Sequence, residues 1–130
     1  MTLHMGQVGS AGDKHQWAAG RQDAVSMAGF IEALVGSAFG IEHSALHARG
    51  RGAAEVAFAR QVAIYLSRVR LGLSYAAAGH LFDRDRTTAA HACRVIEERR
   101  EESTLDSLLD CLERAIDIRR QADGWWSERT

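Results

Sequence analysis

Between residues 53 and 72 the chain reads AAEVAFARQVAIYLSRVRLG. Val56, Ala59, Ala63 and Leu66 return every three or four residues, and Val62, Ile64, Tyr65 and Val69 widen the apolar band beyond one stripe. That spacing belongs to an α-helix, and so broad a band predicts burial on several sides. Gly72 closes the run, and no proline occurs anywhere in the 130 residues. No segment alternates with a period of two for long enough to make a strand, so the chain is read as all-α.

The remaining helices follow from the same periodicity. Residues 1–25 mix Gly, Gln, Asp and isolated hydrophobes without a period and are expected to form a flexible arm, with helix as an option near its end. From Ser26, a candidate N-cap, Phe30, Ile31, Leu34, Val35 and Ala38 fall at helical spacing until Gly40. IEHSALHAR reads as a second short helix with Ile41 and Leu46 turned inward, and RGRGAA as a glycine-broken basic loop. Ser74 caps a short helix, SYAAAGHLF, and Asp83 and Arg84 make a turn into a longer helix from Asp85 to Glu102. In that helix Ala89, Ala92, Cys93 and Ile96 form one buried stripe, while the small Ala89 and Ala90 suit close approach to a partner. The last helix, TLDSLLDCLERAIDIRRQ, shows Leu105, Leu108, Leu112 and Ala115 at three-and-four spacing, and GWWSERT beyond it reads as a frayed tail. The expected division is therefore an arm over 1–25, a multi-helix unit over 26–102, a C-terminal helix over 103–122 and a tail over 123–130.

Bulk properties narrow the function classes. A chain of this length, 46% apolar and 25% charged, buries a core without metal or disulfide staples. Cys93 and Cys111 match neither a zinc spacing nor a disulfide framework and are read as small buried side chains. The absence of a run of about 18 apolar residues argues against a membrane span, and the N-terminus lacks a secretory layout, so a cytoplasmic, nucleoid-associated protein is expected. The net charge of −1 conceals a segregation: residues 49–100 hold ten arginines against five acids, whereas residues 101–130 hold four against eight. Arginine's planar fork suits phosphates and base edges.

A short helix, a tight turn and a second helix with polar residues in its first turn make a helix-turn-helix arrangement. The second helix of that motif enters the major groove by its N-terminal end. Asp85 can accept from a cytosine amino group, Arg86 can pair with guanine or a phosphate, and a threonine offers a methyl or a hydroxyl. The competing reading is an ordinary capped helix start, with Asp85 or Thr87 as the cap.

The order of residues over RQVAIYLSRVRLGLSYAAAGHLFDRDRTTAAHACRVIEERREES resembles the C-terminal DNA-binding domain of the bacterial replication initiator DnaA. Arg60, Gln61, Ala63 and Leu66 match that family's Arg-Gln-x-Ala-x-x-Leu helix, and Gly79 and Phe82 its Gly-x-x-Phe. Arg84, Asp85, Thr87, Thr88, His91, Ala92, Arg94, Ile96 and Glu97 match the signature Arg-Asp-His-Thr-Thr-Val-x-His-Ala and its continuation. Upstream, the spacing of Val35, Phe39, Ile41 and Leu46 is similar to the domain's first helices, so the resemblance covers about residues 29 to 102. Three departures stand out. A single Asp83 replaces two glycines, Arg86 replaces a base-facing histidine, and Ala89 replaces a valine. No G-x-x-x-x-G-K-S/T phosphate loop is present, so the expectation is the DNA-reading domain without the family's ATPase.

The resemblance implies a compact multi-helix domain of the Trp-repressor and DnaA C-terminal type, followed by a C-terminal helix. It assigns base contacts to Asp85, Arg86 and Thr87, and to Arg51 (beside Arg49) in the basic loop as a minor-groove reader. Arg60 and Gln61 resemble the family's phosphate clamp, and Thr88 and Arg94 are placed on phosphates. Arg84 reaches a phosphate or pairs with Asp83; His91 reaches a phosphate or packs near the helix pair. No nucleophile, base and orienting carboxylate assemble, so no enzyme, cofactor or metal is expected; His91 and Cys93, two apart on a helix, point in different directions. The expected function is sequence-specific binding of double-stranded DnaA-box-like sites that regulates initiation without ATP hydrolysis. An adaptor contacting DnaA or helicase-loading proteins, or a transcriptional regulator, is the alternative. The C-terminal helix and Trp125–Trp126 either cover the domain's own core or form a protein-binding or homodimer surface.

Overall fold

The computed structural model describes residues 11–48 and 53–129, with side chains from Ala24 onward apart from His43. These residues form α1 (Ala11–Phe39), a 3-10 turn (His43–His47), α2 (Ala54–Leu71), α3 (Tyr75–His80), α4 (Arg86–Arg99) and α5 (Ser103–Arg129), with no strand among them. The wide apolar band on α2 makes it the central helix. Val62, Ala63, Ile64 and Leu66 are buried on its several faces, and α1, α3, α4 and α5 all pack against it. Buried Ser67 meets its hydrogen-bonding need within the helix, its Oγ donating to the Ala63 carbonyl at 2.9 Å. Gly72 ends α2 in the left-handed region at φ 70°, with its N–H donating to the Arg68 carbonyl.

Several boundaries differ from those read in the sequence. α1 does not start at Ser26 but runs through it from Ala11. Ser26 has capping chemistry, but a cap is needed only where the upstream chain leaves the helix, and residues 11–25 contain no proline to force it out. The inward row of α5 is Leu105, Leu109, Leu112 and Ile116 instead of Leu105, Leu108, Leu112 and Ala115. Both rows obey helical spacing; the position of α1 and α2 selects between them. α5 also continues through Gly124 to Arg129, with Trp125 and Trp126 stacked at 6.2 Å and the Arg129 guanidinium 4.2 Å above the Trp125 ring. Of the two thiols, Cys93 is buried and Cys111 is exposed, because position 111 falls off the inward row.

Ionic contacts fasten α5 to the bundle. Arg70 of α2 donates to both carboxylate oxygens of Asp117 at 3.1 and 2.7 Å. Arg100, in the short turn after α4, donates to Asp106, Asp110, Glu113 and the Tyr65 hydroxyl at 2.6 to 3.0 Å. Burial of the Arg100 guanidinium opposes its charge, but the bonds to Asp106, Tyr65 and Glu113 outweigh this and hold its pKa above the usual arginine value. The acid excess of the last segment is thus spent largely on arginines of the same molecule.

Candidate nucleic-acid interface

The two helices that the sequence marked as a reading pair are set by three local devices. Ser74 Oγ accepts the Ala77 N–H at 3.1 Å and starts α3. Gly79 then takes the closest contact in the motif: its carbonyl accepts the N–H groups of Phe82 and Arg84, each at 2.9 Å. A Cβ at Gly79 would lie 2.8 Å from the Arg84 carbonyl oxygen, 2.9 Å from that of Asp85 and 3.1 Å from the Ala89 Cβ. Asp85 Oδ1 accepts the Thr88 N–H at 2.8 Å and starts α4. Between them, Phe82 is wholly buried and Asp83 adopts φ 59°. That left-handed backbone favours glycine, and aspartate is among the few other residue types that adopt it.

Ala89, Ala92, Cys93 and Ile96 face the core, so the opposite side of α4 is exposed. Asp85, Arg86, Thr87 and Thr88 all lie in solvent at its first turn. Thr87, His91 and Arg94, spaced four and three apart, continue the outward row toward Glu98. Arg94 donates from its NH2 group to His91 Nδ1 at 3.1 Å. Arginine only donates, so Nδ1 is the acceptor, and the proton of a neutral His91 ring resides on Nε2, turned away from Arg94. His91 is therefore an exposed side chain and not one packed within the helix pair. Ala89, expected to ease approach to a partner, instead meets Gly79 inside the motif.

The Asp85 carboxylate has two duties open to it. Its cap on Thr88, through the backbone N–H first and the side chain second, holds its pKa below the usual carboxylate range. One oxygen is occupied by the Thr88 N–H. Capping and base recognition are therefore compatible, since a carboxylate has about four acceptor sites.

Two expected phosphate contacts are oriented differently. Arg60 is turned inward at 7% exposure, its Nε donating to the Leu46 carbonyl at 2.7 Å and its NH2 to that of Ala45 at 3.4 Å. Its pKa is lowered, chiefly by burial and secondarily by the nearby Arg84 charge. The side chain holds the 3-10 turn in place, a role that the carbonyls left over by so short a helix create. Arg84 donates to the carbonyls of Phe82, Asp83 and Ala48 at 3.2, 3.2 and 2.9 Å. It grips the Asp83 backbone rather than its carboxylate, and joins the turn before α4 to the end of the 3-10 turn. Gln61 is half-buried beside Arg60. Arg49 and Arg51 lie outside the described residues.

One residue at this junction had no signal in the sequence. His47 presents Nε2 to Glu32 at 2.9 Å and Nδ1 to Asp83 at 3.4 Å, and its ring stacks on Phe82 at 5.5 Å. It ties α1 to the turn of the reading motif, meeting Asp83 36 residues further along the chain, a distance that periodicity cannot bridge. No cluster suited to a metal ion occurs among the described residues, and no described helix is long and apolar enough to cross a membrane.

Comparison with known proteins agrees with this geometry. A crystal structure of a DNA replication initiation factor superposes with a TM-score of 0.71 over 80% of this chain and 32% of its own, at 22% identity, which establishes the fold. The chromosomal replication initiator protein DnaA 1 of Chlamydia pneumoniae is 35% identical over 68 residues, 52% of this chain but 15% of the relative's length. The family model of the bacterial dnaA protein helix-turn-helix matches residues 29–96, more than half of the chain. This protein belongs to the bacterial DnaA helix-turn-helix family.

Proposed function

We propose that the protein binds double-stranded DNA at DnaA-box-like sites and regulates chromosomal replication initiation without ATPase activity. The observation that carries this reading is the exposed first turn of α4, where Asp85, Arg86 and Thr87 stand clear of the core on a capped, rigidly seated helix. Those three read base edges in the major groove, Arg86 with the geometry for guanine O6 and N7. Thr88, His91 and Arg94 meet the flanking phosphates, His91 donating from Nε2 with Arg94 fixing its tautomer. Gln61 contributes from the α2 side, and Arg51 reaches the minor groove from the basic loop. Arg60 and Arg84 support the interface by holding the 3-10 turn and the turn before α4 in register.

Fluorescence anisotropy with short duplexes tests this. Wild-type protein should prefer a box-like duplex over a scrambled one, and affinity should fall steeply with salt, by a log–log slope of about −0.9 for each phosphate neutralised. Arg86→Ala should lower discrimination at one base pair by about 1–3 kcal/mol while leaving the salt slope nearly unchanged. Equal affinity for box-like and scrambled duplexes in low salt would sink the reading. Genome-wide mapping of bound sites then separates initiation from transcription: enrichment at the origin supports the first, enrichment at promoters the second.

A further inference from the structure

Asp83 is the one non-glycine residue with a positive φ among the described residues, and it stands in the turn that leads into α4. Its carboxylate faces His47 Nδ1 at 3.4 Å. The other ring nitrogen, Nε2, lies 2.9 Å from the Glu32 carboxylate on α1, and the ring face stacks on buried Phe82. One imidazole therefore has a carboxylate at each nitrogen.

Counting donors and acceptors selects its charge. A carboxylate only accepts, and a neutral imidazole has one N–H and one lone pair. Whichever nitrogen carries the proton of a neutral ring, the other carboxylate meets a lone pair. Only imidazolium, with two N–H donors, satisfies both. The two contacts are unequal, because the Glu32 side chain is nearer and 15% exposed, whereas that of Asp83 is 58% exposed. A neutral ring accordingly keeps its proton on Nε2 for Glu32 and gives up Asp83. Two cations approach the same 3-10 turn: Arg60 from α2 donates to the Leu46 carbonyl and Arg84 to that of Ala48. Both oppose a charge on the ring, but it is the carboxylates that lie against its nitrogens. Within the turn itself, Glu42 accepts from Ser44.

We infer that His47 is a proton-dependent positioning residue for the DNA-reading helix. As imidazolium it ties Asp83, and with it the turn into α4, to α1; on losing a proton it lets that turn go. The inference rests on the DNA-reading proposal for its effect on affinity, though not for its effect on the fold. Glycine takes the left-handed conformation freely, whereas here a side chain does so and its contact with His47 helps to keep it there. Asp85 and Arg86 follow within three residues, so freedom at Asp83 passes directly to the reading turn. The sign is fixed: the tie is present with the ring charged and is lost as pH rises through the range in which histidines give up a proton. Water can reach Asp83 and replace the contact, so the effect is about two- to fivefold, as for other exposed ion pairs.

Asp83→Asn is the discriminating variant. Asparagine also adopts the left-handed region, and its amide accepts from a charged ring through oxygen or donates to a neutral one through nitrogen. The tie should survive in this variant but lose its dependence on the proton. Fluorescence anisotropy with a box-like duplex at pH 6 and pH 8.5 gives an affinity ratio for each protein, and contributions from the exposed His80 and His91 cancel between them. The wild-type ratio should exceed that of Asp83→Asn by about two- to fivefold; equal ratios overturn the inference. Urea unfolding without DNA makes the same comparison on the fold. Between pH 6 and pH 8.5 the stability of the wild type relative to Asp83→Asn should fall by a similar factor in the unfolding constant, and a constant difference overturns the inference. Should no duplex bind, the reading of function falls and the unfolding comparison alone sustains or overturns the tie. Nitrogen-15 NMR of the His47 ring reports the tautomer: at pH 8.5 the remaining proton should reside on Nε2, and a proton on Nδ1 would contradict the assignment.

Discussion

Replacing Gly79 with alanine should loosen the reading motif while leaving every side chain assigned to DNA unsubstituted. The added methyl would sit 2.8 Å from the Arg84 carbonyl oxygen and 2.9 Å from that of Asp85, with the Ala89 Cβ at 3.1 Å. Two of these three neighbours are backbone atoms, which no rotamer change can move aside. The turn is also tied from the other side, because the Gly79 carbonyl holds the N–H groups of Phe82 and Arg84. Overpacking of this kind costs about 1–3 kcal/mol. Against it stands the intrinsic gain of alanine over glycine in a helix, about 0.5–1 kcal/mol. The net loss is therefore about 1–2 kcal/mol, a fall in Tm of roughly 4–10 °C for a domain of this size. Thermal and urea unfolding followed by circular dichroism measure it. Gly29→Ala is the control, since a Cβ there meets nothing within 4 Å and only the helix-propensity gain remains. Box-like duplex affinity should also drop in Gly79→Ala, because Asp85 and Arg86 follow the displaced carbonyls. If Gly79→Ala matched Gly29→Ala in raising Tm, the close-approach argument would be wrong.

Asp83 offers a second backbone test. Asp83→Gly and Asp83→Ala both remove the carboxylate facing His47, so their difference isolates the cost of φ 59°, and the glycine variant should be more stable by about 1 kcal/mol in urea titrations. The depressed pKa of Asp85 fixes a sign for pH dependence: its cap stabilises the fold above the unfolded carboxylate pKa of about 4 and is lost as pH falls through the lower folded value. Asp85→Asn should flatten the acid limb of the stability profile below about pH 4, and an unchanged slope would refute the cap's contribution. For the thiols, burial first, with Glu97 assisting and Arg68 opposing, pushes Cys93 up to about 11, so titration with a disulfide reagent should label Cys111 in the native protein and Cys93 only on unfolding. Prompt native labelling of both thiols would show that α4 opens more readily than its packing implies.

Much of the fold was legible because helices announce themselves locally. The α2 band, the Ser74 cap, the Gly72 stop and the α4 stripe of Ala89, Ala92, Cys93 and Ile96 depend on residues within one or two turns of each other, and each appears in the structure as read except at the ends of the α2 band, where Val56 is half-buried and Val69 exposed. The polar first turn of α4 was visible for the same reason. Where periodicity allows two answers, local pattern falls short: Leu108 and Leu109 both extend an apolar row on α5, and only the seating of that helix against α1 and α2 buries the second. The extent of α1 beyond Ser26 was misread for a related reason, since a capping residue marks where a helix can begin and not where it must.

What the sequence determined by itself is therefore the all-α class, the order of the helices after Gly40 and the identity of the side chains at the reading turn. What only the tertiary structure decided is which polar groups face outward and which are consumed inside. Arg60, Arg84 and His47 carry the chemistry of nucleic-acid ligands, yet Arg60 donates to the Leu46 carbonyl, Arg84 to the Ala48 carbonyl, and His47 lies against the carboxylates of Glu32 and Asp83. Such pairings join residues 14 to 36 apart in the chain. A charged group's partner is chosen by distance in space, and spacing along the chain encodes that distance only within a single helix.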